Sequence, residues 1–211
     1  MTIRSISRLF ATFALSFAAL GSVTDASAQT VRLRGEVVNG RATGCYYCPG
    51  YEFALKWTET SIASRVVSIG AFLHQQVEVE GVWDPTTNPP HLEVSAIRAV
   101  AETFSIDGTE RIGDRMRFTC TGTPGELAAN FLGFDAGFFP IGGTLAMTLD
   151  PTTLIYLGAG QMNGNGEFKT NVNLPNDPLL VGIRFIGQGL MTANGGTDIF
   201  STNPDSKTVQ G

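Results

Sequence analysis

Histidine and cysteine are scarce in this chain, with 2 and 3 copies in 211 residues, and the scarcity removes several classes of chemistry. A zinc ribbon needs a second C-x-x-C or paired histidines. Beyond Cys45 and Cys48 there are only Cys120, His74 and His91, all far along the chain. Haem attachment through C-x-x-C-H is excluded, because Pro49 follows Cys48. There is no G-x-S-x-G elbow, and two histidines beside polar residues do not assemble a convincing Ser/His/Asp set. No glycine-rich phosphate loop follows a strand and opens a helix. Charge is thin as well, at 16% of residues, with 14 basic against 19 acidic side chains. An acidic balance lacks the footprint of a nucleic-acid binder, so nucleic acid is not an expected partner.

Long apolar runs are also missing after the first 28 residues. Those residues carry Arg4 and Arg8, then "LFATFALSFAALGSV", then Ala26-Ser27-Ala28 before Gln29. This is the layout of an export signal cleaved after residue 28, too short for a transmembrane anchor of about 20 apolar residues. Cleavage would leave residues 29–211 with 12 bases and 18 acids, a net charge near −6. The chain is therefore expected outside the cytoplasm, periplasmic or extracellular, with no transmembrane anchor.

From Val31 to Thr103 the sequence alternates with period two, the mark of half-buried strands. Val31 and Leu33 oppose Arg32 and Arg34, and Val77 and Val79 oppose Glu78 and Glu80. Leu92, Val94 and Ala96 continue the device, with Glu78 and Glu80 read as a solvated face. "YEFALKW" reads as a further strand, "DPTTNPP" (84–90) as a hairpin loop, and "ASRVVSIGAFLHQ" leaves room for a short helix or turn. This order resembles a small OB-fold barrel over residues 29–103, with Gly35 permitting the bend that a small closed barrel demands.

After Phe104 the texture changes to short strands separated by glycine, proline and asparagine. "LPNDPLLVG" suits one helical turn capped by Asn176 or Asp177, and "MNGNGE" (162–167) a hairpin turn. Four signatures run along this half: Gly122 to Gly125, Leu145 to Pro151, Asn163 to Gly166, and "PNDPLLVG…Q" from Pro175 to Gln188. Together they resemble a β-sandwich module of exported proteins from planctomycetes and other environmental bacteria, a module with no established activity to carry over. The expected architecture is all-β: a signal segment (1–28), an OB-like barrel (29–103) and an antiparallel β-sandwich (104–211).

"GCYYCPGY" (44–51) is the one stretch that looks reactive. A thioredoxin-type pair needs its first cysteine at a helix N-terminus, and Pro49-Gly50 prevents a helix from running on. Cysteines of an exported chain meet oxidising conditions, so a structural disulfide between Cys45 and Cys48 is the preferred reading. A redox-active pair, half of a metal site and a bridge to Cys120 are the alternatives. Cys120 alternates with Met116 and Phe118 and reads as a buried, unpaired thiol. Tyr46, Tyr47, Tyr51, Phe53 and Trp57 cluster on and after the loop that helps form the ligand face of OB folds. The favoured function is a non-enzymatic binding or surface-associated module, its partner a glycan or another envelope protein, with no cofactor, no metal and no catalytic residue. The rival readings are a thiol oxidoreductase using Cys45 and Cys48, and a purely structural envelope protein.

Overall fold

The computed structural model describes residues 29–40, 52–58, 60–87 and 90–211. The leader, and the loop that carries Cys45, Cys48, Tyr46, Tyr47 and Tyr51, lie outside the described residues.

Five strands form the first unit: β1 (Gln29–Asn39), β2 (Phe53–Leu55), β3 (Ser61–Ala63), β4 (Gln76–Asp84) and β5 (His91–Ala99). They run in the order β2-β3-β5-β4-β1, and β2 pairs back onto β1, so the sheet closes into a small OB-like barrel. The β3–β5 pairing is parallel and the others are antiparallel. Alternation builds the core directly: Val31, Leu33, Val37, Val77, Val79, Leu92 and Val94 all point inward and are buried. Gly35 also faces inward, where a Cβ would stand 3.2 Å from the Leu55 Cβ. Its contribution to closure is therefore the close approach of β2 to β1. A 3₁₀ turn, Ile69–Phe72, leads into β4, as the sequence allowed.

Two expectations need correcting here. Ala96 is exposed rather than inside, because the β4–β5 register shifts between Glu80 and Gly81. Ala96 faces Glu80 and Val94 faces Gly81, so Ser95 is an extra residue, a bulge that turns Ile97 onto the core. The second correction concerns Glu78, which faces outward but is not solvated. It is buried beneath two arginines, while Glu80 on the same face is exposed.

The second half supplies β6 (Phe104–Gly108), β7 (Arg115–Thr121), β8 (Leu127–Gly133), β9 (Ala136–Gly142), β10 (Leu145–Leu149), β11 (Ile155–Gln161), β12 (Glu167–Asn173), β13 (Arg184–Ala193), β14 (Asp198–Ser201) and β15 (Asp205–Thr208). An antiparallel sheet β12-β7-β6 packs against β11-β8-β13-β14, in which β15 also pairs with β13. Phe104, Ile106, Met116, Phe118 and Cys120 from the first sheet meet Ala128, Phe185, Met191 and Phe200 across the sandwich core. The Cys120 Sγ donates to Asn130 Oδ1 at 2.9 Å, and burial pushes the thiol far above its ordinary range. As read from its neighbours, it acts as a small buried hydrophobe. Asp177 caps the 3₁₀ turn Pro178–Leu180, its side chain accepting from the Leu179 amide.

The passage at Phe104 is a change of sheet, yet one sheet spans both halves. The β9–β10 hairpin joins the barrel: β10 runs parallel to β1, and the Arg32 amide donates to Thr144 O at 2.8 Å. Phe138 of β9 stacks on Trp83 of β4, centroids 4.1 Å apart. Polar side chains fix the junction. Asn203, buried, accepts from the amides of Thr103 and Phe104 and donates to Phe104 O. Gln188, fully buried, accepts from the Thr148 amide and donates to Thr202 O. Arg32 pairs with Asp198 at 2.6 Å, and the Arg34 guanidinium lies 3.7 Å over the Phe200 ring.

Candidate functional site

The segment "LKWT" (55–58) turns the chain between β2 and β3. Leu55 O accepts from the Thr58 amide at 3.3 Å and from the Thr58 hydroxyl at 2.8 Å. Trp57, third in this turn, has φ +69°. Left-handed backbone there is glycine's province, and a bulky aromatic in it is an outlier held by its surroundings. The Lys56 amide donates to Glu36 O, pinning the turn to β1.

Above the ring, Lys56 Nζ and the Arg184 guanidinium each lie 5.2 Å from the indole centroid. The two cations come from opposite halves of the chain, so the ring sits at their junction. Lys56 Nζ pairs with Glu36 Oε2 at 2.6 Å, and His74 Nδ1 stands 3.8 Å from Glu36 Oε1. Trp57 remains 36% exposed, so burial alone does not account for its position.

Beside it opens a small cleft of about 100 Å³ lined by Glu36, Lys56, Trp57, Gln76, Glu102 and Asp205. The cleft is polar and acceptor-rich. Gln76 Oε1 is buried and has no hydrogen-bond partner among the described residues. Burial raises the Glu102 carboxyl above its ordinary range, and the charges of Asp205, Asp107 and Glu36 push the same way. The Asp205 carboxylate accepts from the amides of Ile106 and Ser206.

Of the residues singled out in the sequence, Trp57 alone lies on this cleft among the described residues. Phe53 packs against the barrel core, and its ring end would stand 3.3 Å from a Cβ at Gly70. Tyr46, Tyr47, Tyr51 and the Cys45–Cys48 pair lie outside the described residues. Glu36, Lys56, Gln76, Glu102 and Asp205 went unmarked, since they come from separate elements and share no motif. The one local signal was Lys56 adjoining an aromatic that the strand pattern did not need.

The other constellations are accounted for by structure. Burial pushes Glu78 up, but hydrogen bonds from Arg98 and Arg34 outweigh it and hold the carboxyl below its ordinary value. A carboxylate locked this way does not exchange protons near neutrality. In "MNGNGE" the Asn163 side-chain oxygen accepts from the amides of Asn165 and Glu167, closing a turn that is not the expected hairpin: β11 pairs with β8 and β12 with β7, so the turn carries the chain from one sheet of the sandwich to the other. Among the described residues no three His, Cys, Asp or Glu side chains are grouped to hold a metal ion. No helix there is long and apolar enough to cross a membrane. Compared with known proteins, the chain matches no family model, no curated sequence and no solved structure.

Proposed function

We propose that this chain is an exported, non-enzymatic binding or surface-associated module that takes its ligand at the Trp57 cleft, in the periplasm or outside the cell. The leader sequence supports export. The binding reading is carried by one observation: a tryptophan kept in a left-handed turn, a third exposed, at the mouth of an acceptor-rich cleft. Backbone strain of this kind costs on the order of 1–3 kcal/mol and concentrates at ligand contacts. Indole adds a rigid amphipathic surface of the kind enriched at recognition sites. The carboxylates are read as binding groups, and Lys56, the amine that lines the cleft with them, is held in an ion pair with Glu36. The ligand is a glycan or another envelope protein.

Arrays of glycans and of purified envelope proteins, probed with residues 29–211, test this reading. Signals should appear with the native chain, disappear with Trp57→Ala, and persist with Tyr156→Ala, an exposed aromatic elsewhere. Equal signals from Trp57→Ala and the native chain would overturn it.

A further inference from the structure

Four asparagines in this chain are followed by glycine: Asn39, Asn163, Asn165 and Asn194. Glycine has no side chain to shield its amide nitrogen, so that nitrogen can close on the side-chain carbonyl carbon of the asparagine before it. Ring closure of this kind needs a nitrogen free to give up its proton. All four asparagines are exposed, so access to solvent does not separate them. Their glycine amides do. Gly40 donates to Glu52 O at 2.7 Å, Gly166 to Asn163 O at 2.9 Å, and Gly195 to Glu126 Oε1 at 2.8 Å. The Gly164 amide has no acceptor among the described residues.

The electrophile is prepared at the same step. Asn163 Oδ1 accepts from the Asn165 amide at 2.9 Å and from the Glu167 amide at 3.0 Å. Those two donors draw electron density from Cγ and meet the negative charge that gathers on Oδ1 during attack. The bond to Asn165, two residues on, also curls the side chain back over the Gly164 peptide, bringing Cγ towards its nitrogen. Room is not limiting, since a Cβ on Gly164 would meet nothing within 4 Å. At Gly166 the backbone is crowded instead, and such a Cβ would run into Gly122 O.

We infer that Asn163 is a modification site, converted without any enzyme to aspartate and isoaspartate through a cyclic imide with Gly164. Hydroxide takes the Gly164 N–H proton, and the nitrogen attacks Asn163 Cγ to form a C–N bond. The Cγ–Nδ2 bond then breaks and, with a proton from water, ammonia leaves. Water opens the imide at one of its two carbonyls. Aspartate results when the new bond breaks, and isoaspartate when the original peptide bond breaks. Nothing is oxidised or reduced. Either product places a carboxylate in the turn between the two sandwich sheets, and isoaspartate lengthens the main chain there by one carbon. The site therefore records the age of the molecule.

The purified protein is held in mildly alkaline buffer, folded and in urea, and the four asparagines are followed by peptide mapping. In urea all four should react at comparable rates. In the folded protein Asn163 should lead Asn39, Asn165 and Asn194 by roughly fivefold or more, the cost of giving up one amide hydrogen bond. A folded chain in which any of the other three keeps pace with Asn163 would overturn the inference. So would the same lead for Asn163 in urea, which would make it a property of local sequence alone. Glu126→Ala frees the Gly195 amide and should raise the Asn194 rate by a similar factor while Asn39 and Asn163 hold theirs. Glu126→Gln keeps an acceptor and should leave Asn194 slow. An Asn194 rate unmoved by Glu126→Ala would overturn the claim that the amide hydrogen bond is the guard.

Discussion

Replacing Trp57 by glycine and, separately, by alanine should invert the usual order of those two residues. At an ordinary position alanine is the more stabilising, because glycine loses more freedom on folding, by about 0.5–1 kcal/mol. At φ +69° alanine carries the left-handed penalty of roughly 1–2 kcal/mol, and glycine carries none. The difference leaves Trp57→Gly more stable than Trp57→Ala by about 0.5–1 kcal/mol. Both fall below the native chain, since each loses the buried part of the indole and two exposed cation–π contacts, together about 2–4 kcal/mol. Urea melts of the three proteins measure the ordering. Binding supplies the second axis: the glycine variant should regain stability over alanine without regaining ligand. An alanine variant more stable than glycine would refute the left-handed turn, and with it the argument that strain is being held for contact. A glycine variant that binds like the native chain would refute the role of the indole.

Glu78→Ala should cost about 2–4 kcal/mol in denaturant, because it strands the mostly buried Arg34 beneath Phe200; the more exposed Arg98 contributes little. Titration of stability with pH should separate the two perturbed glutamates. Glu78, held low, stabilises above the ordinary carboxylate value, and its contribution is lost as pH falls through its folded value; Glu78→Gln should flatten that acid limb. Glu102, raised by burial and by Asp205, Asp107 and Glu36, acts in the opposite sense, so stability should fall as pH rises from 4.5 through its folded value, and Glu102→Gln should abolish that fall. Gly189→Ala should destabilise by about 1–3 kcal/mol, its Cβ arriving 2.4 Å from the Cys120 Sγ, with part of the loss recovered in a Cys120→Ala background. The Cys120 thiol should resist an aromatic disulfide reagent at pH 8 until the chain unfolds, and fast labelling of the native protein would contradict its burial.

The barrel was legible because its chemistry is local. Val31, Leu33, Val77 and Val79 each declare a face through their immediate neighbours, and closure follows once five such faces must be buried. The Ser95 bulge was not legible, since one added residue in "LEVSAIRAV" leaves no compositional mark. The side of Glu78 was read correctly and its solvent wrongly. The Phe200 ring over Arg34 and the Asp198 partner of Arg32 arrive from more than 150 positions away, and nothing near Glu78 announces them. The site was half visible in the same sense. Trp57 stood out as an aromatic, but its turn lacks the glycine that usually signals left-handed backbone. Gln76, Glu102 and Asp205 become neighbours only through the meeting of barrel and sandwich.

That meeting sets an order in time. Asn203 holds the amides of Thr103 and Phe104 from about a hundred residues downstream, so the stretch carrying Glu102 is fixed only when the segment around residue 203 docks. A chain emerging from the ribosome exposes barrel residues first, and their mutual contacts need nothing from residue 203. The loop-closure cost of a span this long rises only logarithmically, but contacts of such high sequence separation are made late. Asp205, which lines the cleft, arrives with that same segment. Chains that stop short of Asp205 therefore lack the cleft, and binding of the ligand proposed for it would report that residues through 205 have been made and folded.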